Sequence, residues 1–176
     1  MSEHLSPSIG PYQDGDVVFR DGDPRTAEVA QQVGDLIAWR LQCGRVEHIG
    51  STAVGGAGGT GTVDLLVPAV SNVEVEVALV ELGFQRATTE DEFFAKYPFF
   101  VGSFSYDGEP FALHVHLIPP EAEEIDAIKF FRTCLRADSE LLRAYLTAKR
   151  AILADGVICP AEYQRRKAEF FKQVLG

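Results

Sequence analysis

Two neighbouring stretches decide the fold of this chain: Glu47-His48-Ile49-Gly50-Ser51-Thr52-Ala53-Val54 and Val63-Asp64-Leu65-Leu66-Val67. The first ends a short strand in a Gly-Ser pair, where backbone amides and a hydroxyl can approach a phosphate without obstruction by a Cβ atom. The second is a buried strand with one carboxylate, Asp64, which is costly to bury without a partner. We therefore predict a site formed by Gly50, Ser51 and Asp64. A tight turn and an aspartate bonded to backbone donors would give the same pattern.

A hairpin is predicted further along the chain. The dipeptide Asp107-Gly108 is typical of a tight β-turn, and it separates Phe99 to Tyr106 from Pro110 to Ile118. Phe111, Leu113, Val115 and Leu117 alternate with polar or small residues in the second strand, so that strand should bury one face only.

The other face of that strand carries two histidines. His114 and His116 occupy alternate positions, so their imidazoles should lie on one side, about 6.6 Å apart. Imidazoles bind metals or donate protons to phosphates, and with Asp64 they would form a set of two histidines and one carboxylate if the two strands are neighbours. Two exposed histidines on a solvated sheet face are the alternative.

Helices are predicted around these strands. Asp23-Pro24 should begin the first helix and Gly44 should end it. Ser71-Asn72-Val73-Glu74 has the form of a capping box for a second helix, and three further helices should follow residue 121. The order predicts an α+β fold, with a mixed, mostly antiparallel sheet flanked by helices and a C-terminal helical segment. Residues 1–22 are interpreted as an irregular lead-in and residues 23–176 as a single domain.

Composition excludes several classes of function. The net charge of −10 over 176 residues argues against a nucleic-acid partner, but a small anionic ligand needs only a few local donors. Three cysteines without a Cys-x-x-Cys spacing argue against a disulfide framework. No signal-peptide pattern and no membrane-spanning run is seen. We therefore expect a cytoplasmic protein with a small-molecule substrate, no nucleic-acid or membrane partner, and an oligomeric state that the sequence does not indicate.

Basic residues on the C-terminal helices are further candidates. Lysine or arginine can hold a phosphate or a carboxylate, although solvated helix faces are the commoner explanation for any one of them. The candidates are Arg132, Arg136, Lys149 and Lys167. The glycine-rich segment from Gly55 to Gly61 lacks the Gly-Lys-Ser/Thr of a P-loop, and it predicts either a mobile lid or an ordinary flexible loop.

Together these motifs resemble the GrpB-like family, a branch of the nucleotidyltransferase superfamily. The resemblance covers about residues 45 to 175, and the block from His48 to Val54 is its most specific part. The other matching stretches are Val63-Asp64-Leu65-Leu66-Val67, His114-Val115-His116, Phe131-Arg132-Thr133-Cys134-Leu135-Arg136, Tyr145-Leu146-Thr147-Ala148-Lys149, and Tyr163 with Lys167.

The resemblance implies a nucleotidyltransferase-like fold, with Gly50-Ser51 in the place of the nucleotide-gripping pair and Asp64 as the first acidic residue. It also implies ATP or another nucleoside triphosphate as a cofactor, with magnesium or a transition metal. The candidate ligand-binding residues are Gly50, Ser51, Thr52, Arg132 and Lys149. The candidate metal ligands are Asp64, His114 and His116, and these three with His48 are the candidate catalytic residues.

Two departures from the superfamily pattern bear on this expectation. The second acid of the Asp-x-Asp or Asp-x-Glu pair is replaced by Leu66, which cannot hold a metal. The loop before Asp64 has Thr60 and Gly61 where relatives tend to have lysine and proline.

Three hypotheses therefore stay open. The first is a nucleotidyltransferase acting on a small molecule. The second is a repurposed enzyme in which Asp64, His114 and His116 perform acid–base or single-metal chemistry without nucleotide transfer. The third is a non-catalytic, ligand-binding accessory domain.

Overall fold

The structure is a computed structural model, and it describes residues 8–13, 17–55, 57–89, 94–156 and 159–176. Within these ranges the helices are α1 (Arg25–Leu41), α2 (Val73–Glu81), α3 (Glu123–Ala137), α4 (Ser139–Ala154) and α5 (Pro160–Leu175). The strands are β1 (Glu47–Ile49), β2 (Val63–Pro68), β3 (Gln85–Ala87), β4 (Phe99–Tyr106) and β5 (Glu109–Ile118), with a 3-10 turn at Ser51–Ala53.

The described strands form one sheet in the order β1-β2-β5-β4-β3. Strands β2 and β5 pair in parallel, and the other pairings among the described strands are antiparallel. The predicted α+β class and the mixed, mostly antiparallel sheet are thus confirmed. The predicted hairpin is also present, and Asp107 and Gly108 both adopt positive φ angles, of 50° and 77°, as a two-residue turn of this kind requires.

Helices α1 and α2 cover one face of the sheet. Val33 and Ile37 of α1 and Leu79 of α2 belong to the same buried cluster as the apolar residues of β2, β4 and β5. Helices α3, α4 and α5 lie together beyond the opposite face, where α3 approaches β1. This side is held by smaller apolar clusters, which leave room for a cavity.

Two predicted helix ends were wrong by one to three residues. Helix α1 ends at Leu41 rather than at Gly44, because Gln42 adopts the left-handed conformation. The cap of α2 is Asn72, whose side chain accepts a hydrogen bond from the amide of Val75, instead of a Ser71–Glu74 capping box. Ser71 donates to Glu76 instead. Asparagine is as good a cap as serine, so the sequence could not decide between neighbours.

The described part of the N-terminal lead-in is bound to the domain. Ile9 is buried in the main core, and Gly10 exchanges two backbone hydrogen bonds with Ser103 of β4. Arg20 pairs in the same way with Gly59. These contacts bring Tyr12 beside the sheet. No helix in the described ranges is long and apolar enough to cross a membrane.

Candidate functional site

The face of the sheet opposite α1 and α2 carries the predicted polar residues. Because β2 and β5 are neighbours, Asp64 lies opposite His114 and Leu66 lies opposite His116. On the other side of β5, Val101 of β4 lies opposite His114 and Phe99 of β4 lies opposite His116. The sheet register therefore brings Asp64, His114 and His116 together, which was the condition for their acting as one set.

A cavity of about 460 Å³ lies above these residues. Its floor includes Asp64, His114 and His116, and its walls come mainly from α3 and α5. The aromatic residues that line it are Tyr12, Phe94, Phe99, Phe131, Tyr145 and Phe171. A mostly apolar cavity of this size with a few convergent polar groups is typical of a small-molecule site.

The carboxylate of Asp64 is the centre of the floor. Its Oδ1 atom lies 3.4 Å from Nδ1 of His114 and 3.4 Å from Nε2 of His116. Burial alone would raise the pKa of Asp64, but hydrogen bonds to the two histidines outweigh it and hold this pKa well below its usual range. Asp64 is therefore a carboxylate at neutral pH.

The two histidines differ in their surroundings. His116 is only 5% exposed, and its ring stacks on Phe99 and lies 4.2 Å from the ring of Phe94. His114 meets Phe99 edge-on, and its Nε2 atom lies 3.4 Å from the hydroxyl of Tyr12. His116 is thus fixed between aromatic rings, whereas His114 presents its second nitrogen towards a polar group that also lines the cavity.

Gly50 lies directly behind the Asp64 carboxylate. Its φ angle is 73°, and a Cβ atom there would be 2.8 Å from Oδ2 of Asp64. Any other residue would be strained at this φ angle and would crowd the carboxylate. The turn after β1 is therefore built for close approach to Asp64.

Ser51 is bonded to a lysine from a distant helix. The amine of Lys149 donates to Oγ of Ser51 at 2.8 Å and to the carbonyl of Gly58 at 3.1 Å. A Cβ atom on Gly59 would be 2.4 Å from that amine, which explains a glycine here. Lys149 is 2% exposed, and burial, assisted by the nearby charge of Lys167, lowers its pKa to about 7.

The Lys149 contact also bears on the glycine-rich segment. Ala57, Gly58 and Gly59 are buried, and Gly59 pairs with Arg20. Gly56 lies outside the described residues. Residues 57–59 are therefore packed into the protein and do not form an open lid, whereas Gly55 is exposed.

Thr52 and His48 bond to each other. The hydroxyl of Thr52 donates to the carbonyl of Thr62 at 3.0 Å, so it accepts from Nε2 of His48 at 2.9 Å. Burial lowers the pKa of His48 to about 4, against the attraction of Asp64. His48 is thus a neutral donor within the scaffold and does not line the cavity.

Two arginines of α3 hold the same turn. Arg132 donates through Nη1 to the Glu47 carboxylate at 2.9 Å and to the carbonyl of His48 at 2.7 Å. Arg136 donates to the carbonyl of Ala53, at 2.6 Å and 3.1 Å. Of these two residues, Arg132 lines the cavity.

The position at which the resemblance implies a second acid is apolar. Leu66 is 1% exposed and packs with Ile49, Ile118, Ile125 and Ile128. Across the described ranges, no three His, Cys, Asp or Glu side chains are arranged to hold a metal ion. The donors present do not fit a two-metal centre, since Asp64 is the one carboxylate among the three expected ligands.

The predicted site residues therefore fall into two groups, those that line the cavity and those that lie beside it. Gly50, Asp64, His114, His116 and Arg132 line the cavity, while His48, Ser51, Thr52 and Lys149 form hydrogen bonds beside it. Tyr12 and the aromatic wall were not predicted, because no local pattern shows that the lead-in and α5 meet over the sheet. Lys167 was among the basic candidates, and it also lines the cavity.

The chain is similar to known proteins over most of its length. A family model described as GrpB protein matches residues 16–176. No curated protein sequence matches the chain. The crystal structure of the conserved protein GrpB from Enterococcus faecalis has 20% sequence identity and a TM-score of 0.66, and the match covers 90% of this chain and 100% of that one.

Two larger structures share the fold at lower identity. The GLD-2/RNP-8 complex matches with a TM-score of 0.57 and 12% identity, over 88% of this chain and 59% of that chain. Cid1 in complex with its short product ApU matches with a TM-score of 0.51 and 16% identity, over 73% and 41%. These likenesses show the nucleotidyltransferase-like fold, and the match to the family model shows that the chain belongs to the GrpB family.

Proposed function

We propose that this protein is a small-molecule enzyme in which the pair Asp64–His114 performs acid–base chemistry. The observation that carries the proposal is the position of the Asp64 carboxylate. It lies within 3.4 Å of two imidazoles at the floor of a largely apolar cavity of about 460 Å³.

Asp64 would orient and polarise His114. Asp64 stays ionised, and its Oδ1 atom lies 3.4 Å from Nδ1 of His114. If Nδ1 donates its hydrogen to this carboxylate, the imidazole has its Nε2 lone pair available. This nitrogen faces Tyr12 and can take a proton from a substrate and return it later. A separation of 3.4 Å is long for a hydrogen bond, and such contacts commonly shorten when a substrate binds.

His116 would act as a positioning residue. Its ring is held between Phe94 and Phe99, so its contact with Asp64 fixes the carboxylate. The loss of His116 should therefore weaken catalysis less than the loss of His114.

A single divalent metal held by Asp64, His114 and His116 is a variant of this proposal. It would require both imidazoles to turn lone pairs towards one ion about 2 Å away, whereas both now contact the same carboxylate oxygen. Titration of the metal-free protein with zinc or manganese tests this variant.

Nucleotide transfer with ATP and magnesium is the second candidate. It is favoured by one observation: the turn of Gly50 and Ser51 lies beside Asp64, and the amine of Lys149 reaches the Ser51 hydroxyl. An incoming phosphate could replace that hydroxyl as the partner of Lys149. The apolar surroundings of Leu66 count against it.

The test is a turnover experiment on a pool of small metabolites, analysed by mass spectrometry. Wild-type protein should change at least one compound without added nucleotide. Asp64→Asn should lower the rate at least about 100-fold, the usual size of a general acid–base contribution. Asp35→Asn, an exposed aspartate on α1, is the matched control and should keep the wild-type rate.

Three outcomes would contradict the proposal. Turnover that requires ATP and magnesium would favour nucleotide transfer. Equal rates for the wild type and Asp64→Asn would remove Asp64 from the mechanism. Binding of a compound without any turnover would favour a non-catalytic domain.

A further inference from the structure

One edge of the Arg132 guanidinium makes no hydrogen bond among the described residues. Both of its hydrogen bonds leave from Nη1, towards Glu47 and the carbonyl of His48. Its Nε atom is buried and has no hydrogen-bond partner among the described residues. A buried donor without a partner is costly, and more so when it is charged.

The free edge of this guanidinium has a definite shape. Guanidinium is planar, and Nε together with Nη2 forms a two-pronged edge that matches a carboxylate or a phosphate. Arg132 lines the cavity, and its contact with Glu47 holds the group in place. An anion bound at this edge would give Nε the partner that the described part of the chain does not supply.

Lys167 adds a second cation from α5. It lines the cavity, lies 5.8 Å from the centre of the Tyr163 ring, and is close enough to Asp64 to help lower its pKa. Within the described residues its amine forms no ion pair or hydrogen bond. Two cations over one cavity contrast with the net charge of −10 of the chain.

The rest of the cavity limits the anion. Phe99, Phe131 and Phe171 supply apolar wall, and ionised Asp64 would repel a doubly charged group. A monoanion with an apolar body satisfies both conditions better than a phosphate dianion does.

We propose that the cavity binds a small organic carboxylate, held by the free edge of Arg132 and by Lys167, with its apolar body on the aromatic wall. This assignment rests on the proposed function, since it names the substrate class for the same site. The carboxylate would anchor the molecule so that another part of it lies beside Asp64 and His114.

The experiment compares an acid with its uncharged counterpart. 1-Naphthylacetate and 1-naphthylacetamide are titrated separately into the full chain by calorimetry. The acid should bind at least tenfold more tightly than the amide. Arg132→Gln should abolish this preference while amide binding persists, and Lys167→Met should reduce it several-fold. Arg143→Gln, an exposed arginine on α4, should leave it unchanged.

Two further measurements separate this inference from the proposed function. Arg132→Lys keeps the charge but loses the two-pronged edge, so it should lose most of the preference even if Arg132→Gln fails to fold. Asp64→Asn should retain or strengthen acid binding, because the repelling carboxylate is gone, whatever its effect on turnover.

Four results would overturn the inference. Equal binding of acid and amide to the wild type would remove the anion anchor and leave the cavity as a neutral site. A preference that survives in the Arg132 and Lys167 variants would place the anchor elsewhere. Displacement of the acid by inorganic phosphate at lower concentration than by acetate would assign the anchor to phosphoryl groups. Failure of both compounds to bind would overturn this inference, and the turnover experiment would still decide the proposed function independently.

Discussion

The two faces of the sheet use the same strands for different purposes. On the face against α1 and α2, β2 presents Val63 and Leu65 and β5 presents Leu113 and Val115, each with 0% exposure. On the other face the alternating positions hold Asp64, His114 and His116 around a cavity. Because strand side chains alternate, every second residue supports the core and the next one serves the site.

The contrast shows how a fold can tolerate reactive groups. A buried carboxylate and two imidazoles are costly without partners, and here they satisfy each other. The closely packed apolar face then contributes the stability that the cavity face does not contribute. Changes on one face should therefore affect stability, and changes on the other should affect binding and turnover.

The largest expected effect is a difference in stability between substitutions at two adjacent residues, one on each face. Phe100 is 0% exposed on the core face, and Phe99 is 7% exposed on the cavity face. Phe100→Ala should lower the free energy of unfolding by about 3–5 kcal/mol, and Phe99→Ala by about half of that, since part of its surface already faces a void. Urea unfolding monitored by circular dichroism measures both, and equal losses would contradict the difference between the faces.

A smaller effect should appear on acidification. His48 has a pKa of about 4 in the folded protein, lowered by burial and by Arg136 and Arg132 against the pull of Asp64, and its ordinary value is about 6.5. Between these pH values the unfolded chain binds the extra proton, so stability falls as pH drops from 6.5 to 4, by up to about 3 kcal/mol. His48→Gln should lose this part of the pH dependence, whereas superimposable pH profiles would count against a buried neutral His48.

The smallest expected effect is a change in the free energy of unfolding at alkaline pH. Lys149 has a folded pKa of about 7, set by burial and Lys167 against Asp64, while an exposed lysine stays protonated to about pH 10. The folded protein therefore sheds a proton that the unfolded chain keeps, and stability should rise by roughly 2 kcal/mol from pH 7 to 9. Lys149→Met should show no such rise in chemical unfolding. A rise of equal size in the variant would assign it to other groups.

The local patterns of the sequence predicted the strands well. Asp107-Gly108 determined the hairpin, and the alternation around Val115 assigned His114 and His116 to one face. The prediction that these two histidines lie beside Asp64 required only that β2 and β5 be neighbouring strands, as they are. Periodicity and turn chemistry act over a few residues, so these features are readable from the sequence alone.

Features that depend on distant segments were not predictable. Lys149 reaches Ser51 across 98 positions of sequence, and Tyr12 meets His114 across 102. Arg132 makes both of its hydrogen bonds through Nη1, and this geometry depends on how α3 packs on β1. Such contacts arise from the docking of whole elements, for which a single sequence carries no local signal.

The most direct test of the central claim is a calorimetric titration of the metal-free protein with ATP and magnesium. The site has one carboxylate, Asp64, and an apolar cluster surrounds Leu66, so we predict no tight, magnesium-dependent binding of ATP. Tight binding that requires magnesium and is lost in Asp64→Asn would contradict the account and make nucleotide transfer the function of this cavity.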